Sequence, residues 1–69
     1  MALLETELLQ GATVDTIELV NSDTQCWHYI IDTAWGTRLD DYWMDTARFR
    51  AWLITFLDEE IVDQHLNGA

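Results

Sequence analysis

Acidic side chains outnumber basic ones so strongly that charge is the first constraint on what this chain can fold into. The 69-residue sequence has thirteen Asp and Glu residues against three Arg, with no Lys, and its formal net charge is −10. Like charges repel when they are crowded onto a small folded surface, so a compact domain of this composition carries an electrostatic cost. That cost is tolerated where acidity serves solubility, life in high salt or a strongly basic partner.

The length and the cysteine content predict one small domain spanning residues 1–69. A domain of this size buries only about 60% of its unfolded surface. Cys26 is the only cysteine, which excludes an intramolecular disulfide and fits a reducing cytoplasm. No apolar run approaches the roughly 20 residues of a membrane span, and the first residues lack the positive charge of a signal peptide. We therefore expect a soluble cytoplasmic protein.

Hydrophobic periodicity predicts an α+β fold in the order α-β-β-β-α. A short N-terminal helix is expected over Ala2–Gln10, and a long C-terminal helix over Ala47–Leu66. Strands are expected over Thr13–Val20, Cys26–Trp35 and Thr37–Met44. The strands would form a three-stranded antiparallel meander, with the long helix packed on one sheet face. Asp45 or Thr46 would cap that helix.

Alternation along the predicted strands separates core from surface. Trp27 and Trp35 share one face of the second strand, and we expect both to be in the core together with Trp52. Tyr42 and Trp43 are neighbours on the third strand and point to opposite faces. One of them should therefore be exposed, and an exposed large aromatic is a candidate interface anchor.

Acidic residues of the predicted long helix lie where the helix dipole disfavours them. The residues concerned are Asp58, Glu59, Glu60 and Asp63. They fall in its C-terminal half, whereas Arg48 and Arg50 fall near its N-terminus, and local helix physics favours the reverse arrangement. Such a violation of a local rule suggests functional selection.

Further carboxylates extend this candidate partner-binding surface. Asp40 and Asp41 lie on the third strand, and Glu18 and Asp32 are expected on the outer face of the sheet. A surface of this kind repels nucleic acid and anionic membranes, and attracts a groove lined with Lys and Arg. A simple solvated surface and adaptation to a high-salt cytoplasm remain alternatives.

The residues that carry catalysis or bind metals are sparse. Cys26 and His28 form a Cys-x-His pair, but no second pair completes a zinc site. Asp40, Asp41 and Asp45 do not have the spacing of an EF-hand loop. A Gly-rich phosphate loop is also missing. We therefore predict no metal, no cofactor and no enzymatic activity.

The segment from Asp40 to Glu60, DDYWMDTARFRAWLITFLDEE, resembles the strand-to-helix transition of some small acidic bacteriophage proteins. These are the nucleic-acid-mimicking anti-CRISPR and anti-restriction proteins, which block host defences. The resemblance implies a protein that acts in the host cytoplasm and occupies the nucleic-acid channel of a defence complex. Asp58, Glu59, Glu60 and Asp63 would then stand in for phosphates.

Two functional hypotheses follow. The first is an inhibitor that mimics nucleic acid and blocks the groove of a basic nucleic-acid-binding protein, without binding nucleic acid itself. The second is a small adaptor or accessory subunit that binds a larger complex through an aromatic surface around Tyr42 and Trp43. Salt sensitivity separates them, because charge pairing is screened by salt and apolar contact is not.

Overall fold

A computed structural model describes residues 9–68, which form a three-stranded sheet followed by two short helices. The elements are β1 (Thr13–Asn21), β2 (Cys26–Asp32), β3 (Arg38–Met44), α1 (Thr46–Leu53) and α2 (Glu59–Asn67). The sheet order is β1-β2-β3, and both pairings are antiparallel. The predicted meander is therefore present. The predicted N-terminal helix over residues 2–10 lies outside the described residues, except for its last two positions.

The predicted long C-terminal helix is wrong. α1 ends at Leu53, and α2 begins at Glu59 after a turn. Within the turn the Thr55 hydroxyl donates to the Trp52 carbonyl oxygen at 2.6 Å. The Asp58 carboxylate then accepts from the Glu60 N–H at 2.9 Å and so caps α2. An Asp side chain that bonds a backbone N–H in this way offers the chain an alternative to continuing the helix.

The break lets the second helix reach the core. A continuous helix over residues 47–66 would be about 30 Å long. A seven-residue strand such as β2 spans only about 23 Å, so such a helix would overhang the sheet. Folding back at the turn places Val62 of α2 in the core, where it is fully buried. Within residues 9–68, neither α1 nor α2 is long and apolar enough to cross a membrane.

The core is an aromatic cluster between the sheet and the helices. Phe49 of α1 is fully buried at its centre. Its ring centroid lies 5.9 Å from that of Trp27 and 5.8 Å from that of Tyr29. The other buried apolar residues are Leu9, Ile31, Leu53 and Val62. Large rings supply much apolar contact per residue, which suits a chain with so few residues to bury.

The junction between β3 and α1 agrees with the predicted cap. The Asp45 carboxylate accepts from the backbone N–H groups of Ala47 at 3.1 Å and Arg48 at 3.4 Å. The Thr46 hydroxyl accepts from the indole N–H of Trp27 at 2.8 Å. The start of α1 is therefore tied to the central strand, which aligns the helix over the aromatic cluster.

The turn between β2 and β3 corrects the predicted location of Trp35. β2 ends at Asp32, three residues earlier than predicted. Gly36 adopts a φ of 84°, and its N–H donates to the Thr33 carbonyl oxygen at 3.1 Å. Trp35 lies in this turn and is 66% exposed, so its assignment to the core is wrong. Glycine favours this left-handed backbone, and it therefore sets the turn.

Candidate functional site

One face of the sheet has no helix of the described chain packed on it. Strand alternation and the cross-strand pairing define its residues, and we call this surface the open face. Its residues are Thr13, Thr16, Glu18, Asn21, Cys26, His28, Ile30, Asp32, Arg38, Asp40, Tyr42 and Met44. The face is therefore a mixture of apolar side chains, carboxylates and two basic groups.

His28 joins the three strands at the centre of the open face. Its Nδ1 lies 2.9 Å from Glu18 Oε1 on β1, and its Nε2 lies 2.7 Å from Asp40 Oδ1 on β3. A neutral imidazole has a single N–H, so only the protonated ring can donate to both carboxylates. The hydrogen bonds to Asp40 and then to Glu18 raise the pKa of His28 above its usual value. Below that raised pKa, the bridge is a carboxylate–imidazolium–carboxylate cluster.

The two carboxylates of this bridge keep hydrogen-bonding capacity toward solvent. Each uses one oxygen on His28, and in the described chain Glu18 Oε2 and Asp40 Oδ2 have no bonded partner. The Glu18 and Asp40 side chains are 57% and 58% exposed, whereas that of His28 is 17% exposed. A hydrogen-bond donor that approaches from solvent would therefore meet the free carboxylate oxygens of Glu18 and Asp40 before it reaches the less exposed His28.

A second cluster of the same type lies at one end of the open face. Arg38 Nε contacts Asp32 Oδ1 at 2.9 Å, and a terminal nitrogen of Arg38 contacts Asp15 Oδ2 at 2.9 Å. The hydrogen bond and charge of Asp32 raise the pKa of Arg38, as does the charge of Asp15. One cation is again shared by two carboxylates, so the cluster keeps a net negative charge.

Exposed apolar side chains lie toward the other end. Tyr42 is 59% exposed and Met44 is 65% exposed. Val20, at the irregularity in the pairing between Leu19 and Asn21, is 51% exposed. The Tyr42 ring also lies against His28, with ring centroids 5.0 Å apart. A solvated face is common for an antiparallel sheet, but adjacent large apolar side chains on it are typical of an interaction surface.

The acidic residues of α2 lie where the helix dipole favours them, which is the opposite of the prediction. Asp58 is the N-cap, and Glu59 and Glu60 form the first turn. Negative charge is stabilising at a helix N-terminus. Arg50 lies in the last turn of α1, where a cation is also favoured. The helix break therefore removes the apparent misplacement of Arg50 and of the acidic residues at the start of α2, whereas Arg48 remains in the first turn of α1.

Arg50 of α1 forms ion pairs with two carboxylates of α2. Its Nε contacts Asp63 Oδ1 at 2.7 Å, and a terminal nitrogen contacts Glu59 Oε1 at 2.8 Å. The hydrogen bond from Arg50 lowers the pKa of Asp63, and bonds to Asp63 and Glu59 raise that of Arg50. Asp58, Glu59 and Asp63 therefore have structural roles, whereas Glu60 is exposed and forms no ion pair within residues 9–68.

The predicted site residues do not form one surface. Four of them share the open face: Glu18, Asp32, Asp40 and Tyr42. Asp41 and Trp43 point to the helix-covered side of β3. Trp43 packs on Trp52 with ring centroids 5.5 Å apart, so Tyr42 is the exposed member of that pair. The remaining four lie on or before α2, where a shallow depression is lined by Glu59, Glu60, Asp63, Gln64 and Asn67.

The geometry around His28 also bears on metal binding and nucleophilic chemistry. Glu18 and Asp40 bind opposite ring nitrogens, so these three side chains do not converge on one ion. In the described part of the chain, no group of three or more His, Cys, Asp and Glu residues could hold a metal. Both ring nitrogens of His28 are bonded to carboxylates, so neither is directed at Cys26.

Two features of the site escaped sequence reasoning. The carboxylate–imidazolium–carboxylate bridge depends on the register of three strands, and alternation alone gives only the shared face. The exposure of Trp35 depends on the turn at Gly36. Gly36 is a turn signal in the sequence, but strand alternation alone continues as far as Trp35.

Known proteins supply no template for the function of this chain. No protein-family model, no curated protein and no solved structure matches it. Its function must therefore be inferred from the charge, exposure and packing of its own side chains.

Proposed function

We propose that this protein is an inhibitor that binds the basic, nucleic-acid-binding groove of another protein. The observation that carries the proposal is uncompensated negative charge. His28, Arg38 and Arg50 are each already shared by two carboxylates, so the cations of the chain leave most of its charge unneutralised. The formal net charge is −10 with both histidines neutral, and −10 + 1 = −9 with His28 protonated, so most of the negative charge acts outward, toward a partner.

Carboxylates can replace phosphates in such a groove. Lys and Arg side chains that hold phosphates form charge-assisted hydrogen bonds of the same kind with carboxylates. Asp23, Asp41 and Glu60 are exposed and, within the described residues, form no salt bridge. They can pair with a partner without first breaking an internal ion pair. The same negative surface would repel nucleic acid itself.

The narrower proposal is that the partner belongs to a host defence system. It rests on the resemblance of residues 40–60 to anti-CRISPR and anti-restriction proteins. The placement of charges on a single long helix no longer supports it. The general proposal of a basic groove does not depend on that resemblance, because the charge balance supports it independently.

Neutralisation of the unpaired carboxylates tests the proposal. The test variant is Asp23→Asn/Asp41→Asn/Glu60→Gln, and the control exchanges Asp and Glu at the same three positions, which preserves charge. Each protein is immobilised and exposed to lysate in low salt, and bound proteins are eluted with duplex DNA. We expect DNA to elute a nucleic-acid-binding protein from the immobilised wild type and from the control. We expect it to elute much less of that protein from the test variant, because the variant captures less. Equal capture by all three baits, with no elution by DNA, would contradict the proposal.

An adaptor function is the second candidate, and the exposure of Tyr42 and Met44 favours it. Apolar contact through these side chains would give association that persists in high salt, because screening weakens only the charged contacts. A Tyr42→Ala variant should then lose the partner, whereas the triple neutralised variant should keep it. Trp43→Ala is unsuitable for this test, because Trp43 packs in the aromatic cluster.

A further inference from the structure

We infer that the open face docks an arginine-bearing segment of the partner protein, with Asp40 and Tyr42 as its anchors. The inference rests on the proposed function, because that function requires a basic partner. It goes further by assigning contact to the sheet instead of to the acidic end of α2. It also names the side chain that the partner must supply.

The first argument is the orientation of the carboxylates. Asp40 Oδ1 holds His28, while Asp40 Oδ2 has no bonded partner in the described chain and the side chain is 58% exposed. Glu18 has the same arrangement on the far side of His28. These carboxylates are held in place by the bridge, so a partner does not have to immobilise them. Preorganised groups bind with a smaller entropic cost than mobile ones.

The second argument is the location of the Tyr42 ring. Tyr42 and Asp40 are two residues apart on β3, so their side chains leave the same face about 7 Å apart. His28 lies against the Tyr42 ring, yet 59% of Tyr42 remains exposed. A guanidinium can stack on an exposed aromatic ring and still donate to a nearby carboxylate. A lysine ammonium has no planar group with which to stack in this way, so the site should prefer arginine.

Charge and size disfavour a second copy of this chain as the occupant. Two copies with a net charge of −10 each repel one another. The face is also small, because three strands at about 4.8 Å spacing and about 23 Å length give a flat area of roughly 320 Å². Stable protein interfaces bury about 800 Å² on each partner. A single basic segment suits a face of this size better than a self-associated dimer does.

An NMR titration tests the inference. The uniformly 15N-labelled protein is titrated with capped hexa-arginine and, separately, with capped hexa-lysine, both at physiological ionic strength. We expect the largest amide shift changes on the open face, at His28, Tyr42 and Met44, and tighter binding of hexa-arginine. Largest changes along Glu59–Asn67, or equal binding of the two peptides, would overturn the inference and leave the basic-partner proposal standing. No binding of either peptide would count against both.

Single substitutions localise the binding energy. Tyr42→Ala should weaken hexa-arginine binding by about two- to five-fold, the range expected for an exposed cation–π contact, whereas Tyr42→Phe should preserve it. Glu60→Gln is the matched control, because it removes an exposed, unpaired carboxylate on α2 without altering the open face. A loss of affinity in Glu60→Gln with no loss in Tyr42→Ala would show that only net charge matters, and the open face would lose its assignment.

Discussion

Replacement of Asp58 by alanine should lower the free energy of unfolding by about 1 kcal/mol. The Asp58 carboxylate accepts from the Glu60 N–H at 2.9 Å and is the N-cap of α2. Loss of an Asp cap costs about 0.5–2 kcal/mol in proteins. For a domain of this size each kcal/mol shifts the thermal midpoint by about 4–8 °C. We therefore expect the melting temperature of Asp58→Ala to fall by several degrees.

Thermal unfolding followed by circular dichroism measures this effect, and Asp58→Asn is the matched control. Asn caps helices about as well as Asp, so this variant removes the charge and keeps the hydrogen bond. We expect it to lose only the part of the stabilisation that comes from the helix dipole, about 0.3–1 kcal/mol. Both variants lose the same charge, so the difference between their melting temperatures isolates the capping hydrogen bond.

The result that would refute the reasoning is an Asp58→Ala variant as stable as the wild type. The capping hydrogen bond of Asp58 would then contribute no stability, and the break between α1 and α2 would need another cause.

Three further predictions concern the core and the ion pairs. Phe49→Ala should lower the free energy of unfolding by about 3–5 kcal/mol. The total free energy of unfolding expected for 69 residues is roughly 3–10 kcal/mol, so near-UV circular dichroism of this variant should show the loss of aromatic packing. The pKa of His28 is raised, so its bridge should stabilise the fold fully below pH 6.5 and should lose that effect as the pH rises through the folded pKa. The chemical shifts of the His28 ring should therefore titrate above pH 6.5, and an unchanged titration in Asp40→Asn would contradict the bridge. Arg50 lowers the pKa of Asp63, so this ion pair should stabilise the fold above about pH 4 and should lose that effect as the pH falls through the folded pKa. The acid unfolding of Arg50→Gln should lack this contribution, and an acid transition identical to that of the wild type would argue against the pair.

The sheet was predictable because its signal is local. The alternation of Trp27, Tyr29 and Ile31 with smaller or polar residues identified the buried face of β2, and all three are buried. Asp45 was predictable as a cap because it precedes the apolar periodicity of α1. Alternation with a period of two residues identifies both the strand and its buried face, and reading it requires no tertiary information.

The break between α1 and α2 was not predicted, although its signal was present. The apolar spacing runs through the turn without interruption, so periodicity alone joins the two helices. Asp58 followed by Glu59 and Glu60 is the composition of a helix start, yet it was interpreted as misplaced charge in a helix end. A cluster of acids that contradicts the dipole of a predicted helix is therefore better taken as a sign that a new helix begins there.

The ion clusters of the open face were beyond the reach of the sequence. Glu18, His28 and Asp40 share a face in the predicted meander, but only the register brings them into one row. That register includes irregular pairing between Val14 and Thr16 and between Leu19 and Asn21 on β1. Each irregularity shifts the following residues relative to β2, and single-sequence patterns give little information on such shifts.

The most direct test of the central claim is the affinity of the purified protein for the partner obtained by capture, measured at increasing salt with and without duplex DNA. The account predicts that affinity falls steeply as salt rises and that DNA competes for the same groove, because both ligands present negative charge to the same basic side chains. Affinity that does not change with salt or with added DNA would contradict the claim and would assign binding to the apolar part of the open face.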